Sequence, residues 1–382
     1  MGKQHEQNPL FSYSVNLERR VRPDHPLRAV RAALGDLSWV RQAVAHTYGA
    51  NGHVSADPVM LVKMMILLFL DDVPSERELM AVIAERLDYL WFLGLGLDDE
   101  IPNHSVLSKA RARWGAELFE ELFVRSVSLC VEAGLVEGGK LHLDSSLVRA
   151  NAARDSILSG SPELLQALRA AARQQEQKLE EKPVEGVNGT HVSATDPEAT
   201  LARSRRSQSS QLSYKHHRAV DDARGVITAV ETTTGSASDA AQLQPLVQQH
   251  EQNTQQEVTT VVADSHYGTA ENYRQGQVQD QQTHLKSYQA ASTGLYPANR
   301  FIYEAHADRF RCPQGHHLYY HNFKKAVQLI EYRIDNPGHC AACPLRDQCT
   351  RSTTGRTVTR PIFTELVRLG QTQAQSAAAK RD

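Results

Sequence analysis

The spacing of apolar residues changes along the chain, and this change limits the possible folds more than any other feature. Over roughly the first 135 residues, apolar residues recur every three or four positions, which places them on one face of a helix. Over 140–151, apolar and polar residues alternate, as is typical of a half-buried strand. The sequence therefore predicts a helical N-terminal domain followed by a domain built around a sheet.

The helical part carries clear start signals. Helices are predicted over 25–37, 57–70, 75–93, 105–114 and 117–133. Asp57 with Pro58 can begin the second, and Ser75 with Glu78 has the spacing of a capping box. The helices on either side of residues 94–104 could also form a helix-turn-helix unit that places a basic helix against DNA.

After residue 140 the predicted order is strand, long insertion, strand, strand, helix, strand, helix, strand. This order predicts a mixed sheet of the ribonuclease-H-like kind. The fold class is therefore α+β, with a helical N-terminal domain, a ribonuclease-H-like mixed α/β core and a small cysteine insertion resembling a zinc knuckle. The predicted boundaries are 1–135 for the helical, DNA-binding domain, 140–300 for the core with a flexible insertion at 155–213, 301–360 for the cysteine-rich insertion and 361–382 for an incomplete C-terminal helix region.

Composition excludes several classes of protein. The chain has 382 residues, against about 150 for an average domain, so a single small binding module is not expected. An apolar fraction of 41% with 42 basic and 44 acidic residues is ordinary for a globular protein and excludes a wholly disordered or collagen-like chain. The most apolar stretch, 59–70, is shorter than the ~20 residues of a membrane span. The N-terminus has no secretory signal, so we expect a cytoplasmic protein.

Two aspartates are the strongest candidates for chemistry. Asp144 lies inside the first predicted strand of the core, where an unpaired carboxylate is costly. Asp264 follows the apolar strand 258–263 at its carboxyl end, the edge where open α/β sheets bind ligands. If the two strands are neighbours, the carboxylates converge and suit Mg²⁺ or Mn²⁺. The alternative is that each aspartate only caps a turn or a helix.

A cysteine cluster predicts a second metal site. In a chain without an export signal, a Cys-x-x-Cys pair with two further cysteines favours a metal over disulfides. Four thiolates would bind a structural Zn²⁺, and His316, His317 or His339 could replace one of them. The alternative is a set of reduced thiols. The candidate zinc ligands are Cys312, Cys340, Cys343 and Cys349.

Basic residues are unevenly distributed although the formal net charge is only −2. Nucleic-acid binding depends on where the cations lie rather than on their sum. The cations lie on the helix after residue 105, in segment 203–218 and beside the late cysteines, where zinc would organise them for phosphate contacts. The alternative for each group is a solvated surface or a flexible arm. The candidate DNA contacts are Lys109, Arg111, Arg113, Arg203, Arg205, Arg206, Lys215, Arg218, Arg346, Arg351 and Arg356.

Several motifs, taken in order, resemble a known family. In the N-terminal part, Asp57-Pro58 precedes an apolar helix and Asn103-His104-Ser105 precedes Arg111. With the cysteine cluster, the motifs are similar to those of the DDE transposases of bacterial insertion sequences, which have a helical N-terminal domain and a cysteine-containing C-terminal insertion. The core motifs are LDSSLVRANA at 143–152, VSATDPEA at 192–199, Tyr214-Lys215 leading to Ala219-Val220-Asp221, and ADSHYG at 263–268 with Glu271-Asn272-Tyr273.

The resemblance implies a function and a set of partners. Asp144 and Asp264 would be the first and second catalytic acids and would bind Mg²⁺ or Mn²⁺ for DNA cleavage and strand transfer. The partners would be the ends of the element, target DNA and further copies of the chain. A metal-dependent nuclease without transfer activity fits less well, because the N-terminal and cysteine motifs match transposases.

The family pattern also requires a third acid. This is a glutamate on a helix after the cysteine insertion, in a run that carries a tyrosine, an arginine and a lysine. The sequence to Asp382 contains no such run, and Glu365 lacks these companions. We therefore predict a product truncated before its third catalytic acid, or alternatively a catalytically inactive DNA-binding remnant.

Overall fold

The structure is a computed structural model that describes residues 15–49, 55–175, 187–203, 209–285, 294–324, 329–362, 372–373, 376 and 381. The chain divides into two compact units, Met1–Leu129 and Cys130–Asp382. None of the described helices combines the length and the apolar character needed to cross a bilayer.

The first unit is helical. The side chain of Asp57 accepts a hydrogen bond from the N–H of Val59, and that of Ser75 accepts one from the N–H of Glu78, so both predicted helix starts are confirmed. Apolar side chains from α2 to α7 share one buried core. The helices are α1 (Leu17–Arg20), α2 (Pro26–Leu34), α3 (Trp39–Val44), α4 (Pro58–Leu70), α5 (Glu76–Glu85), α6 (Leu87–Leu93) and α7 (Ser105–Glu132, which continues past residue 129), with a 3₁₀ turn at Ala45–Thr47.

The single helix predicted over 75–93 is wrong, because the chain forms two helices there. Arg86 separates them with an extended backbone, φ −110° and ψ 111°. Its guanidinium donates to Asp71 at 2.8 Å and to Asp88 at 3.1 Å and lies over the ring of Tyr89. These contacts offset the helical hydrogen bonds that are lost at the break. The spacing of apolar residues contains no information about such contacts.

The second unit contains a mixed sheet that has six strands within the described residues, in the order β4-β5-β1-β7-β8 with β6 also paired to β5. Strand β5 runs antiparallel to β1, β4 and β6, and β7 runs parallel to β1 and β8. The predicted hairpin and the helix-linked strands after it are confirmed. The strands are β1 (Lys140–Arg149), β2 (Ile157–Ser159), β3 (His191–Ser193), β4 (Thr200–Ala202), β5 (Gln211–Asp221), β6 (Ile227–Thr234), β7 (Thr260–Ala263) and β8 (Gln282–Leu285).

Helices pack on the apolar side chains of this sheet. Leu141 and Leu143 of β1 and Val261 of β7 share a core with Leu246 and Val247. Leu246 and Val247 belong to the helix Leu243–Thr254 (α10). This shared core fixes which side chains of β1 and β7 point toward the helix. The helices are α8 (Pro162–Gln175), α9 (Val187–Thr190), α10 (Leu243–Thr254) and α11 (Ala270–Val278), with 3₁₀ turns at Arg154–Ser156 and Asp239–Gln242.

The described parts of segment 155–213 contain regular structure. Strands β2 and β3 pair with each other, and β4 pairs with β5 in the main sheet. These strands were not predicted because each has only three residues, too few for a periodic pattern.

The cysteine-rich segment is larger than the small knuckle predicted. Over 294–324 and 329–362 it forms a five-stranded antiparallel sheet, β13-β12-β11-β10-β9, with its own apolar core. The sequence signal was weak because most side chains of β11 are exposed. The elements are β9 (Ile302–Glu304), β10 (Arg309–Arg311), β11 (His317–Lys324), β12 (Leu329–Ile334), α12 (Pro337–Ala341), α13 (Arg346–Cys349) and β13 (Thr357–Pro361), with 3₁₀ turns at Ala298–Arg300 and Ala305–Ala307.

Candidate active site

The register of β1 against β7 places Asp144 beside Asp264. The two strands are parallel neighbours, and Leu143 lies opposite Ala263. Asp144 and Asp264 are the next residues along the chain, and neighbouring strands lie about 4.8 Å apart. We call these two residues the aspartate pair. It lies at the carboxyl end of β7, the edge of the sheet predicted to carry a ligand.

The aspartate pair faces away from the helix-covered core. Side chains alternate between the faces of a strand, and the preceding residues Leu143 and Ala263 are buried. The side chains of Asp144 and Asp264 are 65% and 55% exposed. Both carboxylates are therefore open to solvent and avoid the desolvation cost expected inside a strand.

Each carboxylate of the pair has a nitrogen partner. Arg218 of β5 lies opposite Asp144, and its Nη2 donates to Asp144 Oδ2 at 3.0 Å. The N–H of His266 donates to Asp264 Oδ1 at 2.8 Å, and the ring Nδ1 of His266 lies 3.0 Å from Oδ2. The hydrogen bond from the N–H of His266 to the Asp264 side chain closes a turn that holds Asp264 directly after the end of β7.

On the opposite face of β1, Ser145 contacts a nearly buried carboxylate. Its Oγ donates to Asp239 Oδ1 at 2.7 Å, and Lys215 Nζ lies 3.1 Å from the same oxygen. Burial lowers the pKa of His217 to about 4, against the opposing attraction of Asp239. The imidazole of His217 is therefore neutral at pH 7, and Lys215 balances the charge of Asp239.

Tyr267 adds a neutral hydroxyl to this region. The residue is 1% exposed, and its hydroxyl lies in the buried region beside Ser145. Burial raises the pKa of Tyr267, and the nearby carboxylates of Asp239 and Asp264 raise it further. The phenol therefore stays protonated close to the aspartate pair.

The aspartate pair has the right chemistry for a hard divalent cation. Carboxylate oxygens are the ligands that Mg²⁺ prefers, and exposure leaves room for the waters that Mg²⁺ retains. No three His, Cys, Asp or Glu side chains in the described part of the chain are arranged to hold an ion. Asp239 contacts β1 on the other face and is paired with Lys215, and Glu365 lies outside the described residues.

The four candidate zinc ligands, Cys312, Cys340, Cys343 and Cys349, line one small cavity of about 20 Å³. His316 and His339 also line it, with their Nδ1 atoms 2.8 Å apart, whereas His317 lies 3.6 Å from Glu304. Burial raises the pKa of Cys349; Arg356 opposes this shift and the other three thiols add to it. The donor set fits Zn²⁺, although these described side chains are not already in a ligating arrangement.

Comparison with known families gives three matches along the chain. Residues 15–113 match a transposase domain (DUF772), and residues 187–333 and 311–382 match two transposase DDE domains. The chain belongs to the insertion-sequence DDE transposases. Comparison with curated proteins and with solved structures found no match.

The matched ranges of this transposase contain one member of the aspartate pair. Asp264 lies within the DDE range 187–333, whereas Asp144 lies between the matched ranges. The strand register is therefore the observation that places Asp144 beside Asp264.

On α7 of the transposase, Lys109, Arg111 and Arg113 are all exposed. Arg111 forms an ion pair with Glu76, and Arg113 lies over the ring of Tyr48. Their predicted contact with DNA stays a prediction.

The candidate DNA contacts in segment 203–218 lie in different environments. Arg218 bonds to Asp144, whereas Lys215 is held against Asp239. Arg203 is exposed, and Arg205 and Arg206 lie outside the described residues.

The third group lies beside the cysteines. Arg351 is exposed and Arg346 is half-buried. Arg356 donates to the backbone oxygens of Cys349 and Tyr296, both at 2.9 Å. Arg356 therefore ties together the chain segments around the cysteines.

Asp239 was not among the residues singled out from the sequence. It sits in a polar segment before a helix, where an aspartate is expected as an ordinary start signal. Its contacts with Ser145 and Lys215 join residues far apart in sequence, and no local pattern reports them.

Proposed function

We propose that this transposase cleaves DNA phosphodiester bonds and transfers strands with the aspartate pair as ligands of a Mg²⁺ or Mn²⁺ ion. The observation that carries the proposal is the register of β1 and β7, which sets two exposed carboxylates side by side. The antiparallel strands β6, β5 and β1, followed by the parallel β7 and β8, support a ribonuclease-H-like core.

The proposed reaction has two displacements at phosphorus. Water attacks at the end of the element, the bond from phosphorus to the 3′ oxygen breaks, and a 3′-hydroxyl is freed. That hydroxyl then attacks a phosphorus of target DNA and displaces a 3′ oxygen there. A divalent ion at the site would activate the attacking oxygen and stabilise the leaving one.

The residues of the chain would position the substrate. Asp144 and Asp264 would hold the ion at the edge of the sheet, and Arg218 lies beside Asp144, where its guanidinium can bind a phosphate oxygen. Other cations of the candidate set would hold the DNA backbone. The partner would be DNA, and further copies of the chain would hold two element ends together. DNA cleavage and strand transfer would take place in the cytoplasm.

A second candidate is a DNA-binding remnant that cuts nothing. The observation that favours it is that the described residues contain no third side chain arranged with the aspartate pair to hold an ion. Two-ion catalysis needs further carboxylates to bridge and flank the ions.

A cleavage assay separates the two candidates. Linear DNA with both ends of the element is incubated with the full chain and Mn²⁺. Catalysis predicts cleavage that disappears in Asp144→Asn and Asp264→Asn. It should persist in Asp222→Asn, whose carboxylate bonds to His142 on the same sheet. Binding of DNA and Mn²⁺ without any cleavage would favour the remnant, and cleavage that survives both Asn variants would contradict the proposed site.

We also propose a structural Zn²⁺ at the cysteine cavity. Its support is that four cysteines and two histidines line one cavity. Elemental analysis of the purified chain should find about one zinc per chain, and Cys340→Ser with Cys343→Ser should reduce it. A content below about half an equivalent would contradict the zinc site.

A further inference from the structure

The short 3₁₀ helix Asp239–Gln242 is bonded to both chain segments that carry the aspartate pair. One set of bonds reaches β1, and the other reaches the turn after β7. The inference drawn from these bonds rests on the proposed function.

The bond to β1 runs through Ser145. Ser145 follows Asp144 directly, so the two side chains point to opposite faces of the strand. The 2.7 Å hydrogen bond from Ser145 to Asp239 therefore holds this part of β1 with Asp144 directed to the open face. Asp239 is itself fixed by Lys215, whose Nζ also donates to the backbone oxygen of Ala237 at 2.7 Å.

The bond to the turn after β7 runs through Asn272 of α11, which is buried. Its Nδ2 donates to the oxygen of Ala240 at 3.0 Å and to the oxygen of Tyr267 at 2.8 Å. The N–H of Tyr267 donates to the oxygen of Asp264 at 3.2 Å, which closes the turn. A continuous path of hydrogen bonds therefore joins Asp264 to the 3₁₀ helix.

We propose that Asp239 and Asn272 are positioning residues that fix the spacing of the aspartate pair for its divalent ion. Neither side chain belongs to the pair, and each acts through the segment to which it bonds. The exposure of Asp239 and Lys215 is only 16% and 15%, so water weakly screens their pairing. Residues that orient metal ligands contribute strongly to affinity, and their loss typically costs about 10- to 100-fold.

The test is the affinity of the full chain for Mn²⁺, measured by titration at pH 7. Asp239→Asn keeps the size of the side chain but removes its charge, and the Mn²⁺ dissociation constant should rise at least about tenfold. Ser145→Ala removes a single hydrogen bond and should raise it about threefold or more, and it remains informative if Asp239→Asn does not fold. Asn272→Ala should act in the same direction.

Two controls separate positioning from stability. Leu246→Ala removes a fully buried side chain of α10, so it should lower the melting temperature but leave the Mn²⁺ affinity within twofold. Asp222→Asn removes a carboxylate that bonds to His142 and Lys140 and should also leave the affinity within twofold. Circular dichroism confirms folding at the temperature of each titration.

The outcomes distinguish this inference from the proposed function. If Asp144→Asn abolishes Mn²⁺ binding while folded Asp239→Asn and Ser145→Ala bind as the wild type does, the positioning role is wrong and the metal site stands. If Asp144→Asn binds Mn²⁺ as the wild type does, the proposed metal site itself is wrong. If Leu246→Ala lowers the Mn²⁺ affinity as much as Asp239→Asn does, loss of fold stability explains both effects, and the inference is wrong.

Discussion

Burial sets the charge of two histidines in the second unit. His217 and His250 are both fully buried, and burial lowers the pKa of each, to about 4 for His217. An unfolded chain takes up protons on histidine near pH 6.5. Because the folded-state pKa values are lower, the unfolded state binds more protons between these limits, and the free energy of unfolding falls as pH falls.

The first prediction concerns acid stability. Between pH 6.5 and 4, His217 should cost the folded state on the order of 3 kcal/mol. His217→Gln, which can retain the bond to Thr233, should lose less stability over this range than the wild type. Urea unfolding at a series of pH values measures the effect, and the exposed His306→Gln is the control. An unchanged pH dependence in His217→Gln would contradict the account.

Single residues also show how far the sequence could predict the site. Asp144 and Asp264 could be proposed from the sequence because Asp144 lies within, and Asp264 directly follows, a segment with the apolar pattern of a strand. Asp239, Asn272 and Lys215 act through contacts between distant segments. Their roles depend on strand pairing and on how the helices pack, which a local pattern does not contain.

Among the elements, α7 contains a break that the sequence marks with glycine. Within Ser105–Glu132, Gly115 has a φ of 72° and a ψ of −170°, which are not helical, so two helical segments meet there at a kink. The sequence predicted two helices on either side of this position, and the structure joins them across a kink. Only glycine adopts such a conformation without strain.

The second prediction follows from that kink. Gly115→Ala should lower the free energy of unfolding by about 1–3 kcal/mol, because alanine is strained at this backbone conformation. No heavy atom lies within 4 Å of an added Cβ, so the cost is conformational rather than a clash. Gly139→Ala, where an added Cβ would meet Thr259 at an ordinary 3.6 Å, is the control. Equal urea midpoints for the two variants would contradict the explanation.

Strand pairing marks the limit of prediction for the elements. The hairpin of β5 and β6 could be predicted because a short polar turn joins two alternating segments. The parallel pairing of β1 with β7 joins segments more than a hundred residues apart. The sequence did not predict this pairing; it predicted only that the two aspartates converge if the strands are neighbours. The strands of the cysteine-rich sheet were missed because exposed side chains weaken their alternation.

The whole molecule has a formal net charge of only −2, but its basic residues are grouped in a few regions. A phosphate-dominated interface releases counterions from DNA, so its affinity depends steeply on salt. The third prediction is that affinity for DNA falls by about two or more orders of magnitude between 50 and 200 mM salt, as measured by gel shift. Lys109→Gln should make the affinity for DNA depend less steeply on salt. Lys324 is not one of the candidate DNA contacts and pairs with Glu331, so Lys324→Gln should leave the salt dependence unchanged. Salt-independent binding would contradict phosphate contacts.

The overall organisation was predicted better than its smaller parts. A change of apolar spacing is a long-range signal, and it separated the helical N-terminal part from the sheet-containing part. The content of segment 155–213 and the size of the cysteine-rich sheet depend on short strands that gain stability from their neighbours. Such strands carry little signal of their own.

The position of a bound Mn²⁺ ion shows directly whether Asp144 and Asp264 bind the same metal. Anomalous diffraction from crystals of the full chain grown with Mn²⁺ locates the ion without reference to activity. We expect one peak within about 2.0–2.6 Å of carboxylate oxygens from both Asp144 and Asp264. A peak that contacts only one of them, or carboxylates that lie more than about 10 Å apart, twice the spacing of neighbouring strands, would contradict it.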